Sequence, residues 1–271
     1  MREGFCHNEK SGVHFLSVPS FDETGLCITA FSTRLGGVSK PPLESMNLGF
    51  GRGDARETVL ENYRIFGEAA SFPHEKLIAF TQVHKNDVCV ADKSFAGEAF
   101  SPNKREFDAI VTNIKGLPIA TYHADCVPVF LLDPVKKAVG VAHAGWRGTA
   151  LASPVAAAKK MCEVFSSSPS DILVGVGPAI SKSNFETDSD VPNAMLSAFG
   201  EEAREFITDR KNGKFLVSLP GLCVYALKKF GIRDENITLS GECTYDKSDL
   251  YWSHRKTHGI RGAMAAVIML K

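Results

Sequence analysis

The sequence predicts a mixed α/β (α+β) fold, with a large mixed β-sheet core flanked by helices. Three observations predict it. Short runs rich in β-branched and aromatic residues, bounded by turn formers, dominate the first half of the chain. Longer segments of helical character follow in the second half. The two kinds are interspersed without the strict βαβ alternation of a doubly wound sheet. No internal repeat and no long Pro/Gly/Ser linker divides the 271 residues, so 1–271 reads as a single catalytic domain.

Strands are expected at 13–18, 26–33, 77–83, 88–91, 109–111, 117–122, 127–132 and 138–143. A helix follows, with two possible starts. Ser153-Pro154 has the character of an N-cap and first helical position before VAAAKKMCEVF. Alternatively the helix begins near Thr149 and carries Pro154 in an early turn. Beyond it come a buried strand at 172–176, helical stretches around 191–207 and 219–230, and strands near 237–239 and 264–270.

Composition narrows the function classes. Lys+Arg and Asp+Glu are 31 each, and no long basic run is present, so there is no electrostatic footprint for nucleic acid. The longest apolar stretches, 127–132 and 263–270, fall far short of the roughly 20 residues of a spanning helix. The opening MREGFCHNEKSG lacks the apolar core of a signal peptide. Seven scattered cysteines without a CxxC pair fit a reducing compartment, so a soluble cytoplasmic protein is expected. The neutral net charge permits a monomer or a small homo-oligomer.

Familiar catalytic signatures are missing. There is no P-loop string, no G-x-S-x-G elbow and no H-E-x-x-H, and Gly175-Val-Gly177-Pro-Ala-Ile does not complete G-x-G-x-x-G. The H-x-E with P-C-x-x-C pattern of the common zinc deaminases is absent too.

Metal-ligating residue types nevertheless gather at the ends of strand-like runs. They occur in Phe80-Thr-Gln82-Val-His84, in His123-Ala-Asp125-Cys126 and in His143-Ala-Gly-Trp-Arg147-Gly148. Cys126 follows His84 by 42 residues and His143 follows Cys126 by 17, too irregular for a finger or ribbon. A sheet can bring strand ends together at any spacing. His84, Cys126 and His143 would then form a Cys-His₂ set, which suits Zn²⁺ with a fourth position open for water or substrate. A buried thiol and two hydrogen-bonded imidazoles would give the same pattern. His123 is a rival ligand, while His254 and His258, flanked by Gly259 and Gly262, are left outside the ligand set.

HAGWRG is the most specific local string. Its glycines permit a sharp turn, and Arg147 beside a helix start could hold a phosphate or carboxylate. The alternative is that Trp146 packs and Arg147 pairs with a structural carboxylate. Arg34, in STRLGGVS, and Asn47, in MNLG, are further candidate substrate contacts, as is Gln82 beside the ligand histidine.

Taken in order, STR-x-GGVS, N-L-G, QVH, ADC-x-P, HAGWRG, GPAI and a late C-T-Y resemble the laccase-domain (multicopper polyphenol oxidase) family. The resemblance runs from Phe31 to the end of the chain. It implies a purine nucleoside phosphorylase with adenosine deaminase activity, acting on adenosine, inosine, guanosine and methylthioadenosine. It further implies a catalytic zinc on His84, Cys126 and His143; Asp125, beside Cys126, is a candidate proton shuttle or anchor for that ligand. The expected partners are small-molecule nucleoside and phosphate, with no nucleic acid and no membrane. The chain departs from the pattern in Ser181-Lys-Ser-Asn184, in Cys243-Thr-Tyr245-Asp246 and in Ser253-His-Arg255-Lys. Two alternatives stand beside this reading: a copper-dependent polyphenol oxidase, and a Cys126–His143 hydrolase or amidase acting on cell-wall precursors.

Overall fold

The strand Met264–Leu270 is buried along its whole length, so both of its faces must be covered. Its even positions, Met264, Ala266, Ile268 and Leu270, enter one apolar cluster. Its odd positions, Ala265, Val267 and Met269, enter another. The strand Val127–Asp133 divides in the same way, with Phe130 and Leu132 meeting the first of these clusters. Val127, Val129 and Leu131 meet a third. Period-2 alternation in fully buried strands therefore dictates a layered arrangement with strands in the middle.

The computed structural model describes residues 1–102 and 105–271. Within them a seven-stranded sheet has the order Arg2–Glu3, Ile237–Leu239, Leu173–Val176, Val127–Asp133, Ala138–Ala144, Ala109–Thr112 and Val88–Val90. It is mixed, antiparallel through its centre and parallel toward both edges. A five-stranded sheet has the order Cys6–Lys10, Val13–Ser17, Cys27–Ser32, Met264–Leu270 and Ile119–His123, and is antiparallel throughout. The two sheets share the cluster that holds Phe31, Ile119, Phe130, Val139, Val141 and Ile268. Helices Ser153–Phe165 and Leu219–Phe230 cover the outer face of the larger sheet through Ala157, Ala158, Met161 and Leu222. A small sheet of Glu186–Thr187, Phe215–Val217 and Ile207–Asp209 completes that side.

The mixed α/β class, with a large mixed sheet flanked by helices, is thus as predicted, and a second, five-stranded sheet packs against the large one through their shared apolar cluster. Several elements also depart from expectation. The sequence pattern predicts no helix at Arg56–Ala70, yet this is the longest helix among the described residues. Its stripe of Val59, Tyr63, Phe66 and Ala70 has helical spacing and caps the outer face of the five-stranded sheet. Charged Arg56, Glu57, Glu61, Arg64 and Glu68 dilute that stripe in the sequence. Conversely, 77–83 forms no strand. It bridges Ile119 at Ile78 and Glu106 at Thr81, changing partner before a ladder can propagate. The expected helical region 191–207 is broken by Gly200 into the α-helix Asp190–Phe199 and the 3₁₀ segment Glu201–Phe206, and Ile207 begins a strand.

The contested helix start resolves into two pieces. A single helical turn, Trp146–Ala150, precedes Ser153–Phe165, and Ala152 between them takes the left-handed conformation at φ 53°. Ser153 is the first helical residue rather than a cap. Its hydroxyl donates instead to the His143 carbonyl at 3.1 Å, tying the helix to the end of the strand.

Candidate metal centre

The register of two neighbouring strands brings the first two candidate ligands together. Val127 pairs with Ala144 and Pro128 with His143, so Cys126 lies beside the end of the strand that carries His143. His143 shares the parity of Val139 and Val141, which face the inter-sheet layer. It is 3% exposed at the end of that layer. His84 reaches the same point from the irregular segment after Phe80. The ligand atoms of His84, Cys126 and His143 all lie within 4.8 Å of one another, the one such group of three among the described residues.

Asp108 holds this arrangement together. It is fully buried, and its carboxylate accepts the backbone N–H groups of Val83, His84 and Lys85 at 3.2, 3.0 and 2.7 Å. The same carboxylate accepts His143 Nδ1–H at 2.9 Å, which turns Nε2 toward the cluster as the nitrogen that would face a metal. Three converging N–H groups explain how His84 keeps a left-handed backbone, φ 61°, that its side chain disfavours. Burial works against the Asp108 charge, but the bonds from His143, Lys85 and Val83 hold its pKa below the usual carboxylate range. Burial likewise opposes the His143 charge; the Cys126 sulfur and the Asp108 carboxylate overcome it and raise the pKa to about 9. For His84, burial and then the His143 charge lower it. Sequence reasoning missed Asp108. Its only signal is an acidic residue immediately before the strand Ala109–Thr112.

Gly145 admits the ligands by having no side chain. A Cβ there would sit 2.4 Å from His84 Nδ1 and 3.1 Å from Cys126 Sγ. The glycine in HAG is therefore a steric requirement of the cluster.

His123 lies nearby, its ring 5.4 Å from that of His143, but both of its nitrogens are engaged. Nδ1–H donates to the Cys126 carbonyl at 3.1 Å, and Nε2 accepts from the Thr121 hydroxyl at 2.8 Å. It braces the Cys126 backbone and lies outside the group of three whose ligand atoms converge. Asp125, left-handed at φ 84°, accepts from Thr244 Oγ1 at 2.6 Å and from the Arg255 N–H at 2.7 Å. Its carboxylate ties the Cys126 loop to the segment that carries Thr244 and Arg255.

The cluster forms part of the wall of a cavity of about 710 Å³. Phe50, Phe80, Tyr122, Trp146 and Phe185 supply aromatic wall, and Arg52, Arg147, Arg255 and Arg261 supply positive charge. Gln82 is in the wall, yet its amide bonds the Tyr122 backbone both as donor, 2.8 Å, and as acceptor, 2.6 Å. Arg147 is in the wall, stacked 4.0 Å over Trp146.

The other two expected substrate contacts are placed elsewhere. Arg34 spends its guanidinium on the Glu44 and Ser248 carbonyls and lies 4.0 Å over the Trp252 ring. Asn47 is fully buried, donating to Asp54 and accepting from the N–H groups of Gly49 and Ala263. Both fasten the loops behind the cavity, Arg34 through backbone carbonyls and Asn47 through backbone N–H groups and the Asp54 carboxylate. His254, excluded on sequence, stands in the cavity wall, as do Arg52 and Arg261, which sequence reasoning did not single out.

Comparison with known proteins bears on the same residues. A family model described as multi-copper polyphenol oxidoreductase laccase matches residues 28–271. A Bacillus subtilis protein named purine nucleoside phosphorylase YlmD is 33% identical over 247 residues, spanning 90% of this chain and 88% of its own. The Escherichia coli purine nucleoside phosphorylase YfiH is 32% identical over 255 residues, covering 94% and 98% respectively. Among solved structures, YlmD from Geobacillus stearothermophilus superposes with a TM-score of 0.91 at 30% identity, covering 97% of this chain and 98% of that one. No helix among the described residues is long and apolar enough to cross a membrane.

Proposed function

The chain belongs to the multi-copper polyphenol oxidoreductase laccase family, and from that premise we propose that it is a zinc-dependent purine nucleoside phosphorylase with adenosine deaminase activity. The observation that carries the reading is the pairing of the His84–Cys126–His143 cluster with a cavity of aromatic and arginine walls. Relatives named purine nucleoside phosphorylase support the phosphorylase part, at about a third identity over most of the chain.

The donor set fits a divalent metal. One thiol and two imidazoles converge, with Asp108 orienting the His143 ring as an outer partner of a metal-bound histidine does. His84, Cys126 and His143 would hold Zn²⁺, which when bound supplies Lewis-acid polarisation of a substrate oxygen or a water of lowered pKa. The chain's own groups do the rest. Aromatic side chains offer faces for a purine, and guanidinium groups neutralise phosphate. In phosphorolysis a phosphate oxygen bonds to ribose C1′ as the C1′–N9 bond breaks, and the base leaves with a proton. In deamination, water replaces the purine 6-amino group and ammonia departs.

The reading is tested with zinc-loaded protein, adenosine and phosphate, beside Cys126→Ala, by chromatography of adenine, inosine and hypoxanthine. Adenine with ribose 1-phosphate, or inosine, formed by the parent and lost in the variant is the expected result. No product from a verified zinc-bound protein would overturn it.

One observation favours a second reading. Cys126, His143 and Asp108 lie in the order of a nucleophile, its base and the group that orients the base, as a Cys–His hydrolase requires. Metal content separates the two, because that hydrolase works metal-free. The copper oxidase reading has less support: a multicopper site needs several ligand groups, and the described residues bring together one group of three.

A further inference from the structure

Four guanidinium groups line the cavity, and two of them are already engaged. Arg147 stacks on Trp146, and Arg255 donates to the Glu186 carbonyl at 2.7 Å and lies over Phe185. Arg261 is different. Among the described residues its Nε is buried with no hydrogen-bond partner, and its one hydrogen bond goes to the carbonyl of its own neighbour, Gly262, at 3.0 Å. Arg52 has neither an ion pair nor a hydrogen bond among the described residues. Both line the wall of the same cavity, and burial first, then the charge of Arg52, lower the Arg261 pKa to about 10.

The fold packs the two loops that carry these cations against one another. Asn47 Oδ1 accepts from the N–H of Gly49 at 2.9 Å and of Ala263 at 3.1 Å, bracketing the two loops that carry Arg52 and Arg261. A Cβ on Gly49 would lie 2.9 Å from the Ala263 side chain and 3.2 Å from Arg52 Cγ. A Cβ on Gly262 would lie 2.7 Å from the Trp252 ring. Two cations on packed loops of one cavity wall, one with an orphaned buried donor, are unfavourable until an anion with several acceptor oxygens enters. Phosphate has that chemistry, and a guanidinium fork meets it with paired N–H donors.

We propose that Arg52 and Arg261, brought together by Asn47, form the subsite for the inorganic phosphate co-substrate, at the cavity wall beside the Cys–His–His cluster. The assignment rests on the phosphorolysis reading and moves the phosphate from Arg147, where the sequence placed it, to a pair the sequence did not reveal.

The test is calorimetric titration of inorganic phosphate into zinc-loaded parent, Arg52→Gln, Arg261→Gln, Arg261→Lys and Arg147→Gln. Arg52 is on an exposed loop, so its variant probes the subsite even where Arg261→Gln fails to fold. One phosphate per chain should bind the parent, and each Gln variant should bind about tenfold more weakly or worse, with partial recovery in Arg261→Lys. Unchanged binding in both Gln variants, or loss only in Arg147→Gln, would overturn the proposal. A parallel assay of ribose 1-phosphate separates the two readings. Product formed with unchanged KM for phosphate in both variants sinks the subsite and spares phosphorolysis. Phosphate binding lost in the variants, with no ribose 1-phosphate from the parent, upholds the anion subsite and removes phosphorolysis.

Discussion

The Asp108 carboxylate accepts His143 Nδ1–H at 2.9 Å while also accepting three successive backbone N–H groups around His84. One buried side chain therefore sets the tautomer of one candidate ligand and the backbone of another. Asp108→Asn puts an amide in place of one acceptor oxygen and faces it toward donors. Metal affinity, measured by chelator competition, should fall about 10–100-fold. The melting temperature should fall as well, reflecting about 1–3 kcal/mol for unsatisfied N–H groups. Unchanged affinity would show that His143 needs no such orientation.

Gly145→Ala tests the cluster by sterics alone. A Cβ 2.4 Å from His84 Nδ1 must displace that ring or the strand end. Zinc stoichiometry by mass spectrometry should drop sharply, with far-ultraviolet circular dichroism unchanged. A variant that retains full zinc would mean that His84 is not held where the geometry puts it.

Arg34→Met separates a structural arginine from a substrate contact. Its carbonyl partners Glu44 and Ser248 lose their donor, so stability to urea should fall by about 1–3 kcal/mol. KM for nucleoside and for phosphate should stay at the parental value. A selective rise in either KM would restore Arg34 to the binding site.

Glu242 predicts an acid-dependent loss of stability. Burial raises its pKa, but bonds from Tyr251, His7 and Lys247 more than offset this and leave it below 4.5. A carboxylate depressed in the folded state stabilises fully above its unfolded pKa, and that contribution disappears as pH falls through the folded value. The urea midpoint of the parent should exceed that of Glu242→Gln near about pH 7, and the gap should narrow by about pH 3.5. A gap independent of pH would assign the difference to packing rather than charge.

Much of the fold was legible where a segment's own pattern decides its state. The strands Val127–Asp133, Ala138–Ala144 and Met264–Leu270 and the helix Leu219–Phe230 follow from local composition and turn signals. Helix Arg56–Ala70 was not legible, because its sparse stripe is stabilised by the sheet it covers rather than by its own propensity. Segment 77–83 was misread for the converse reason: β-forming residues without one continuous partner make bridges, not a strand.

By itself the sequence determined the mixed α/β class and the family resemblance, and it singled out His84, Cys126 and His143 as candidates, whose ligand atoms the fold brings within 4.8 Å of one another. Those follow from residue types and strings that survive without coordinates. Only the tertiary structure decided which polar groups remain available for chemistry. Arg34 and Asn47 carry suitable side chains but donate to or accept from nearby groups of the fold, whereas Arg261 keeps a buried donor unpartnered. The reason is physical: a side chain's chemistry is local, but whether its hydrogen-bonding capacity is already consumed depends on segments far away in the chain.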